Sequence, residues 1–371
     1  MGKVITSLQF VTQSAPSTPP STHGNIFASA SSLYFINDGG QIYDLASSSG
    51  SLRISYYTGS ATTQTYTYSK LDNLKYLKVI CVGAGGGGGS GKSRTTTFGT
   101  GGRGGGGGAI VWTQFISSQI PSSVTITVGA GGTGASSVTA GSNGNAGGNG
   151  GNTSFGTQVI AEGGRGGLGG VSSTTQASFG GLGGSLSNST PSYSPFVLPG
   201  IYGGGNTSGQ ATIIGSDAGS VQSGFKNALS FFIGTGGSDE GIVQGGGSGG
   251  GGGGAWGATA GAGVAGSGSG VTQYDGSIIN GGAPGAPGTS NAGSNGQNNI
   301  GLDMITHLIG YTATYGIGGG GHGGGSSSGT GGNGGNYGAG GGGGGTTATI
   351  NIVSGAGGNG SPGLCILIEY F

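Results

Sequence analysis

Charge is the scarcest property of this sequence. Lys, Arg, Asp and Glu make up only 5% of the 371 residues, ten basic against ten acidic, for a formal net charge of zero. A nucleic-acid binder needs clustered Lys and Arg to neutralise phosphates, and charge-solvated disorder needs a high net charge. No run approaches the roughly 18 consecutive apolar residues of a membrane span. The sequence therefore predicts neither nucleic-acid binding nor membrane insertion.

Material for helices and for metal sites is also missing. No stretch shows the 3.6-residue apolar period of an amphipathic helix, which argues against an ordinary enzyme architecture. The three histidines, His23, His307 and His322, lie far from one another and from the cysteines, so no metal site is predicted. We expect an all-β protein with no enzymatic activity, no catalytic residue and no cofactor.

Two cysteines cannot form a disulfide framework. Cys81 and Cys365 both have apolar neighbours, which suggests two small core residues. A single bridge between them, tying the first strong strand to the last, is the alternative.

Glycine is what the sequence has in excess, with 103 residues against a usual share of about 7%. Only six of them precede Gly83, so we place a domain boundary there. The sequence predicts an N-terminal β arm at 1–46, a short β connector at 47–82, and a glycine-rich domain at 83–371. Inserted loops are expected mainly within 166–317.

The N-terminal arm contains a predicted hairpin. After a Pro/Ser/Thr-rich extended segment at 14–24, two short apolar strands meet through the turn sequence NDGG at 37–40. A hairpin of this size is not stable alone, so we expect it to pair with copies of itself in other subunits.

Strands and glycine tracts alternate in the rest of the chain. The tracts do not keep the G-X-Y register of collagen and instead favour G-G-X spacing, which suits polyglycine-II-like helices with three residues per turn. Without Cβ atoms, such helices can approach closely and hydrogen-bond to one another. We therefore expect an elongated or fibrous molecule built of strands and polyglycine-II-like helices. Half-buried strands are predicted from β-branched, alternating residues at 74–82, 109–117, 123–132, 153–164, 346–358 and 363–371.

Several segments imitate catalytic motifs. GGGGSGKS at 86–93 matches a P-loop after a strand, and Glu369 imitates a magnesium-binding acidic residue, but a P-loop requires a following helix that this sequence cannot form. We therefore expect Lys92→Ala to change neither folding nor ligand binding. GGSGG at 246–250 and HGGG at 322–325 lack the helix and residue order of a hydrolase. The acidic pair at 239–240 is interpreted as a solvated loop tip, with weak cation binding as the alternative.

Recognition must come from side chains that glycine lacks, and these are concentrated in non-glycine insertions between the tracts. Aromatic residues there combine apolar faces with hydrogen-bonding edges, which suits receptor contact, although each could instead cap the end of a glycine tract. The candidates are Tyr193, Phe196, Tyr202, Phe225, Phe231, Phe232, Trp256, Tyr274, Tyr311 and Tyr315.

The order of these segments resembles phage tail-fibre and adhesin proteins with a C-terminal glycine-rich domain. YLKVICVGAGGGGG, GGRGGGGGAIVWTQF, SVTITVGAGGTG and the terminal GSPGLCILIEYF carry the resemblance, well over 74–165 and 318–371. A looser similarity exists to the polyglycine-sandwich adhesins at T-even fibre tips. The resemblance implies a homotrimeric virion protein that attaches to other virion proteins through its N-terminal arm. It also implies contact with a host-surface glycan or outer-membrane protein.

The leading hypothesis is thus a phage fibre or adhesin subunit on the virion surface that displays receptor-recognition loops. The alternative is a purely structural capsid or baseplate fibre component. A weaker third possibility is an ice- or surface-binding glycine-helix protein, disfavoured because aromatic loops would interrupt a flat face.

Overall fold

A computed structural model gives the architecture, and its described residues fall in separated ranges. In the strands at 25–29, 32–36, 42–44, 196–198 and in the short pairs between 234 and 279, the backbone alone is described. The remaining described ranges are 52–59, 62–67, 74–94, 99–139, 141–172, 181–182, 184, 250–253, 295, 320–321, 323–324, 328–347 and 352–371.

A small antiparallel sheet forms in the N-terminal arm. It contains β1 (Asn25–Ser29), β2 (Ser32–Ile36) and β3 (Ile42–Asp44) in that order. Ile36 pairs with Ile42, so the predicted hairpin is confirmed at the level of its two strands. The NDGG turn at 37–40 lies outside the described residues.

Two larger antiparallel sheets pack face to face. The strands of the first sheet are β4 (Leu52–Tyr57), β6 (Tyr76–Val82), β7 (Ile110–Ile116), β11 (Phe196–Leu198) and β18 (Leu364–Tyr370). Those of the second are β5 (Thr62–Thr67), β8 (Ser123–Val128), β9 (Thr153–Phe155) and β10 (Val159–Ala161). The strand order is β11-β7-β6-β18-β4 in the first sheet and β10-β9-β8-β5 in the second.

Apolar side chains of both sheets fill the space between them. The largest members include Leu77, Phe115, Ile126, Phe155 and Leu367, each at most 1% exposed. Strands β4 and β5 belong to the predicted connector, yet β4 pairs with β18 and β5 with β8. The connector is therefore built into the same sandwich as the glycine-rich region.

Three further strand pairs lie in the inserted region. They are antiparallel: β12 (Gly234–Gly236) with β13 (Gly241–Val243), β14 (Trp256–Gly257) with β15 (Gly261–Ala262), and β16 (Val271–Thr272) with β17 (Ile278–Ile279).

The predicted all-β class is confirmed. The described part of the chain contains strands and one 3-10 turn at Ser117–Gln119, but no α-helix. In the same residues, no helix of the length and apolarity needed to cross a membrane is found.

Glycine-rich segments leave the sandwich as extended helices with a three-residue hydrogen-bonding period. In the first of them, 83–94, every third amide points to the same neighbouring segment, so that Gly83, Gly86 and Gly89 donate to carbonyls spaced along it. The two residues that follow each of these glycines donate to a second and a third neighbouring segment. This is the polyglycine-II geometry that the G-G-X spacing predicts. The longer glycine helices are I (83–94), II (99–109), III (129–139), IV (142–152), V (162–172), IX (328–335), X (339–347) and XI (354–363). The described parts of the short ones are VI (181–182 and 184), VII (250–253) and VIII (320–321 and 323–324).

Helix I is surrounded by six others in a hexagonal arrangement. It donates amide hydrogen bonds to helices II, IV and XI, which run antiparallel to it, and accepts them from helices III, V and X, which run parallel. The six neighbours also bond to one another in a closed ring, in the order II, V, IV, III, XI, X. We call the whole set of glycine helices the lattice.

Close approach explains why the lattice is made of glycine. The described glycines with positive φ are Gly59, Gly141, Gly156 and Gly338, and all lie at turns or bends, so backbone conformation does not require glycine in the helices. A Cβ built on Gly88 would instead lie 1.9 Å from the carbonyl oxygen of Gly342. Similar contacts with neighbouring carbonyls recur along every long helix.

The predicted strand at 346–358 is wrong in its described parts. Residues 346–347 end helix X, and 354–358 begin helix XI. The prediction failed because a glycine helix is as extended as a strand. Such a helix also tolerates β-branched residues at its ends, so the residue pattern there resembles that of a strand.

Candidate functional site

The predicted aromatic candidates fall mostly outside the described residues. Backbone strands place two of them: Phe196 lies in β11 at the edge of the five-stranded sheet, opposite Trp112, and Trp256 lies in β14, opposite Ala262. The remaining candidates lie outside the described residues: Tyr193, Tyr202, Phe225, Phe231, Phe232, Tyr274, Tyr311 and Tyr315. Whether these side chains contact a receptor or cap glycine tracts stays a prediction.

The described geometry does define the support from which several loops emerge. Strands β6, β8 and β10 pass directly into helices I, III and V, while helices II, IV and XI pass directly into β7, β9 and β18. The sandwich therefore fixes one end of the lattice. At the other end, which we call the distal end, the chain turns back between neighbouring helices. These reversals lie between 94 and 99, 139 and 142, 172 and 181, 324 and 328, and 347 and 354.

Polar side chains replace glycine at the distal end and bind the helices together. The Thr100 hydroxyl donates to the carbonyl of Val171 and accepts from its amide, at 3.1 and 2.8 Å. The Ser93 hydroxyl donates to the carbonyl of Ile352 and accepts from the amide of Gly141. These bonds hold the starting points of separate loops in fixed relative positions.

Two buried cations, Lys92 and Arg94, also lie at the distal end. The Lys92 ammonium donates to the carbonyl of Gly141 at 2.9 Å and to Oδ1 of Asn143 at 3.0 Å. The Arg94 guanidinium donates to the carbonyl of Thr347 at 3.0 Å. Burial lowers the pKa of Lys92 and of Arg94 below their ordinary values, because a low-dielectric environment disfavours the charged forms.

The P-loop look-alike at 86–93 lies within helix I, the centre of the lattice. Each of its eight backbone amides donates to a carbonyl of a neighbouring helix, so none is left to bind a phosphate. Lys92 is 4% exposed, and its ammonium is bound by the carbonyl of Gly141 and by Asn143 at the distal end. The expectation that Lys92→Ala leaves folding unchanged therefore needs correction, because the substitution would remove two hydrogen bonds from a buried position.

Glu369, the imitation of a magnesium-binding acid, is likewise structural. It is 2% exposed and accepts hydrogen bonds from the Arg53 guanidinium and, at 2.8 Å, from the Tyr66 hydroxyl. Among the described residues, no three His, Cys, Asp or Glu side chains converge in a way that could hold a metal ion.

A groove of about 450 Å³ lies against the four-stranded sheet, beside the turn that joins β9 to β10. The Gln158 carboxamide packs against Gly156, and its Oε1 is shielded from solvent without a hydrogen-bond partner in the described structure. No sequence motif indicated this surface, because it is assembled across strands. Its uncharged lining consists of Pro121, Ser123, Val124, Thr125, Thr127, Ser154, Gly156, Thr157 and Gln158.

Together, the fold and the distal end define a class of protein: a β-sandwich whose strands continue into a close-packed lattice of glycine helices that carries loops. The family model of a glycine-rich domain matches residues 60–289, more than half of the chain, and the protein belongs to that family. Comparison with curated proteins gives no match.

Proposed function

We propose that this protein is a phage fibre or adhesin subunit that displays loops for recognition of a host-surface receptor. The observation that carries the proposal is the cluster of chain reversals at the distal end, on helices anchored to a sandwich at their other end. A rigid support that presents several loops at one place is a common architecture for binding surfaces.

The low charge of the chain bears on the type of receptor. With ten basic and ten acidic residues in all, contacts with a receptor must come mainly from aromatic, hydroxyl and amide groups. Such groups suit the hydroxyls and apolar ring faces of a glycan, or a neutral protein surface. The hydroxyl-lined groove beside Gln158 is a second surface with this chemistry.

The test is adsorption of the purified full-length protein to host cells. We expect the Tyr193→Ala/Phe196→Ala/Tyr202→Ala and Phe231→Ala/Phe232→Ala variants to bind several-fold less well per folded molecule, with an almost unchanged melting temperature. Gln158→Leu tests the groove separately, and Gln114→Leu is its matched control on the other sheet.

The alternative is a structural capsid or baseplate fibre without a receptor. Immunogold labelling of intact particles separates the two, since an adhesin should label at a tail tip. If the aromatic variants unfold while adsorption per folded molecule is unchanged, the aromatics cap the lattice and the structural alternative takes precedence.

A further inference from the structure

Asparagine side chains bridge the outer grooves between neighbouring glycine helices. Between helices IV and V, Oδ1 of Asn149 accepts from the amide of Gly166 at 3.0 Å. One turn along, Oδ1 of Asn152 accepts from the amide of Gly163 at 3.1 Å. Both asparagines belong to the sequence GGNGGN, whose three-residue period places them on the same exposed face of helix IV.

The same device recurs in the next three grooves around the lattice. Between helices IV and III, Nδ2 of Asn145 donates to the carbonyl of Ser136 at 3.3 Å. Between helices III and XI, Oδ1 of Asn359 accepts from the amide of Gly134 at 2.8 Å. Between helices XI and IX, Oδ1 of Asn333 accepts from the amide of Asn359 at 2.8 Å.

These four grooves form one continuous side of the lattice, along helices V, IV, III, XI and IX. On the opposite side, helices II and X are covered by the further glycine segments VI, VII and VIII. The chain thus ends its lattice in two ways: more glycine helices on one side, and asparagine side chains on the other.

An unbridged groove would resemble the exposed edge of a β-sheet. Inside the lattice, an amide such as that of Gly166 would donate to the carbonyl of another helix. At the surface it would form part of a regular row of open donors and acceptors, which is a template for another chain. Only a segment with glycine at the positions that face the groove can lie in it, so its natural occupant is a glycine helix from a second copy. The net charge of zero supplies no general repulsion between copies.

We propose that these groove-bridging asparagines close this side of the lattice against lateral pairing with a second copy of the chain. Each Asn carboxamide takes the place of the backbone group that another helix would provide. This role is separate from any assembly through the N-terminal arm.

The test compares the full-length protein with Asn149→Gly/Asn152→Gly. This change removes both caps and turns 147–152 into an uninterrupted glycine segment. In sedimentation velocity, we expect the variant to form species larger than the wild-type assembly, increasing with concentration. Amide hydrogen exchange at Gly163 and Gly166 should become about fivefold faster or more, since each amide loses a hydrogen bond.

Two controls separate capping from other effects of the substitutions. Ala146→Gly adds a glycine on the same exposed face of helix IV but removes no cap, so it should behave as wild type. Asn149→Ala/Asn152→Ala should show the faster exchange without the larger species, because its methyl groups still prevent close approach of another helix.

A folded glycine variant that sediments as wild type, or one whose exchange at Gly163 and Gly166 is unchanged, would overturn the proposal. Should the double variant fail to fold, Asn359→Gly provides the same test in another groove, with exchange followed at Gly134. Unchanged exchange and sedimentation there would equally overturn it.

Discussion

At the residue scale, Cys81 and Cys365 occupy directly opposite positions on β6 and β18, with sulfur atoms 3.8 Å apart. Both are free thiols with no exposed surface. The contact with Cys81 and burial raise the pKa of Cys365 well above its ordinary value. Since the thiolate is the reactive form, the raised pKa protects Cys365, and burial keeps reagents away from both sulfur atoms.

We predict that a thiol-labelling reagent modifies neither cysteine in the folded protein and both cysteines in denaturant. The measurement is the mass of the labelled chain without added reductant. A chain that takes up no label even in denaturant would show that the cross-strand bridge, the alternative from the sequence, has formed.

A second residue-scale feature ties the edges of the two sheets together. Glu369 on β18 binds Arg53 on the edge strand β4 and Tyr66 on the edge strand β5 of the other sheet. Arg53 also lies over the ring of Phe371, 5.3 Å from its centre. Burial and the hydrogen bond to Glu369 raise the pKa of Tyr66.

We predict that Tyr66→Phe lowers the free energy of unfolding by about 1.5–3 kcal/mol, the usual contribution of a hydrogen bond to a charged group. Because the pKa of Tyr66 is raised on folding, its contribution is fully present below the ordinary tyrosine pKa of about 10. It is lost as the pH rises from there through the raised folded value. Stability of the wild type should therefore decline above pH about 10 more steeply than that of the variant.

Denaturant unfolding between neutral and alkaline pH measures both effects. Tyr76→Phe is the control, since Tyr76 is only half-buried and its ring stacks on Tyr370. Equal pH profiles for wild type and Tyr66→Phe would contradict the assignment.

At the element scale, the continuity between strand and glycine helix is the main structural device. Six strands of the sandwich join six helices of the lattice without an intervening loop. Ordering so many glycines costs about 1–2 kcal/mol of conformational entropy per residue. The sandwich offsets part of this entropy cost by fixing the helix ends. Inside the lattice, backbone hydrogen bonds offset more of it, as where helix I donates to three neighbouring helices.

We predict that Gly88→Ala lowers the free energy of unfolding by about 1–3 kcal/mol, the typical cost of overpacking. Its methyl group would lie 1.9 Å from the carbonyl oxygen of Gly342. Gly148→Ala should cost less, because its nearest contact is the Thr133 side-chain hydroxyl at 2.9 Å. Thermal unfolding of both variants gives the comparison, and equal losses would show that the helices separate easily.

At the scale of the whole molecule, assembly remains the main functional prediction. The N-terminal sheet has only three short strands, and sheets of this size have marginal stability alone. Pairing with copies in other subunits would provide the missing contacts.

We predict that the full-length protein is a homotrimer and that removal of residues 1–46 yields monomers or misfolded chain. Sedimentation equilibrium at micromolar concentration measures the change, with circular dichroism reporting whether the sandwich persists. A full-length protein that sediments as a monomer would contradict the prediction.

Much of the fold follows from local pattern. Alternating β-branched residues predicted β6, β7, β8 and β18, and the absence of helical periodicity predicted the all-β class. The composition change at Gly83 coincides with the end of β6 and the start of helix I. These features depend on residue type and short-range spacing, which the sequence displays directly.

Tertiary structure decided which glycine helices are neighbours, because glycine has no side chain by which a pattern could specify a partner. The sandwich makes that choice by fixing where each helix starts. The tertiary structure also decided that the amides at 86–93 donate to carbonyls of neighbouring helices. In the same way, it decided that Glu369 binds Tyr66, 303 positions away in the chain. The sequence by itself determined that close-packed glycine helices could form, since it leaves out the Cβ atoms; the pairing of the strands determined how they are arranged.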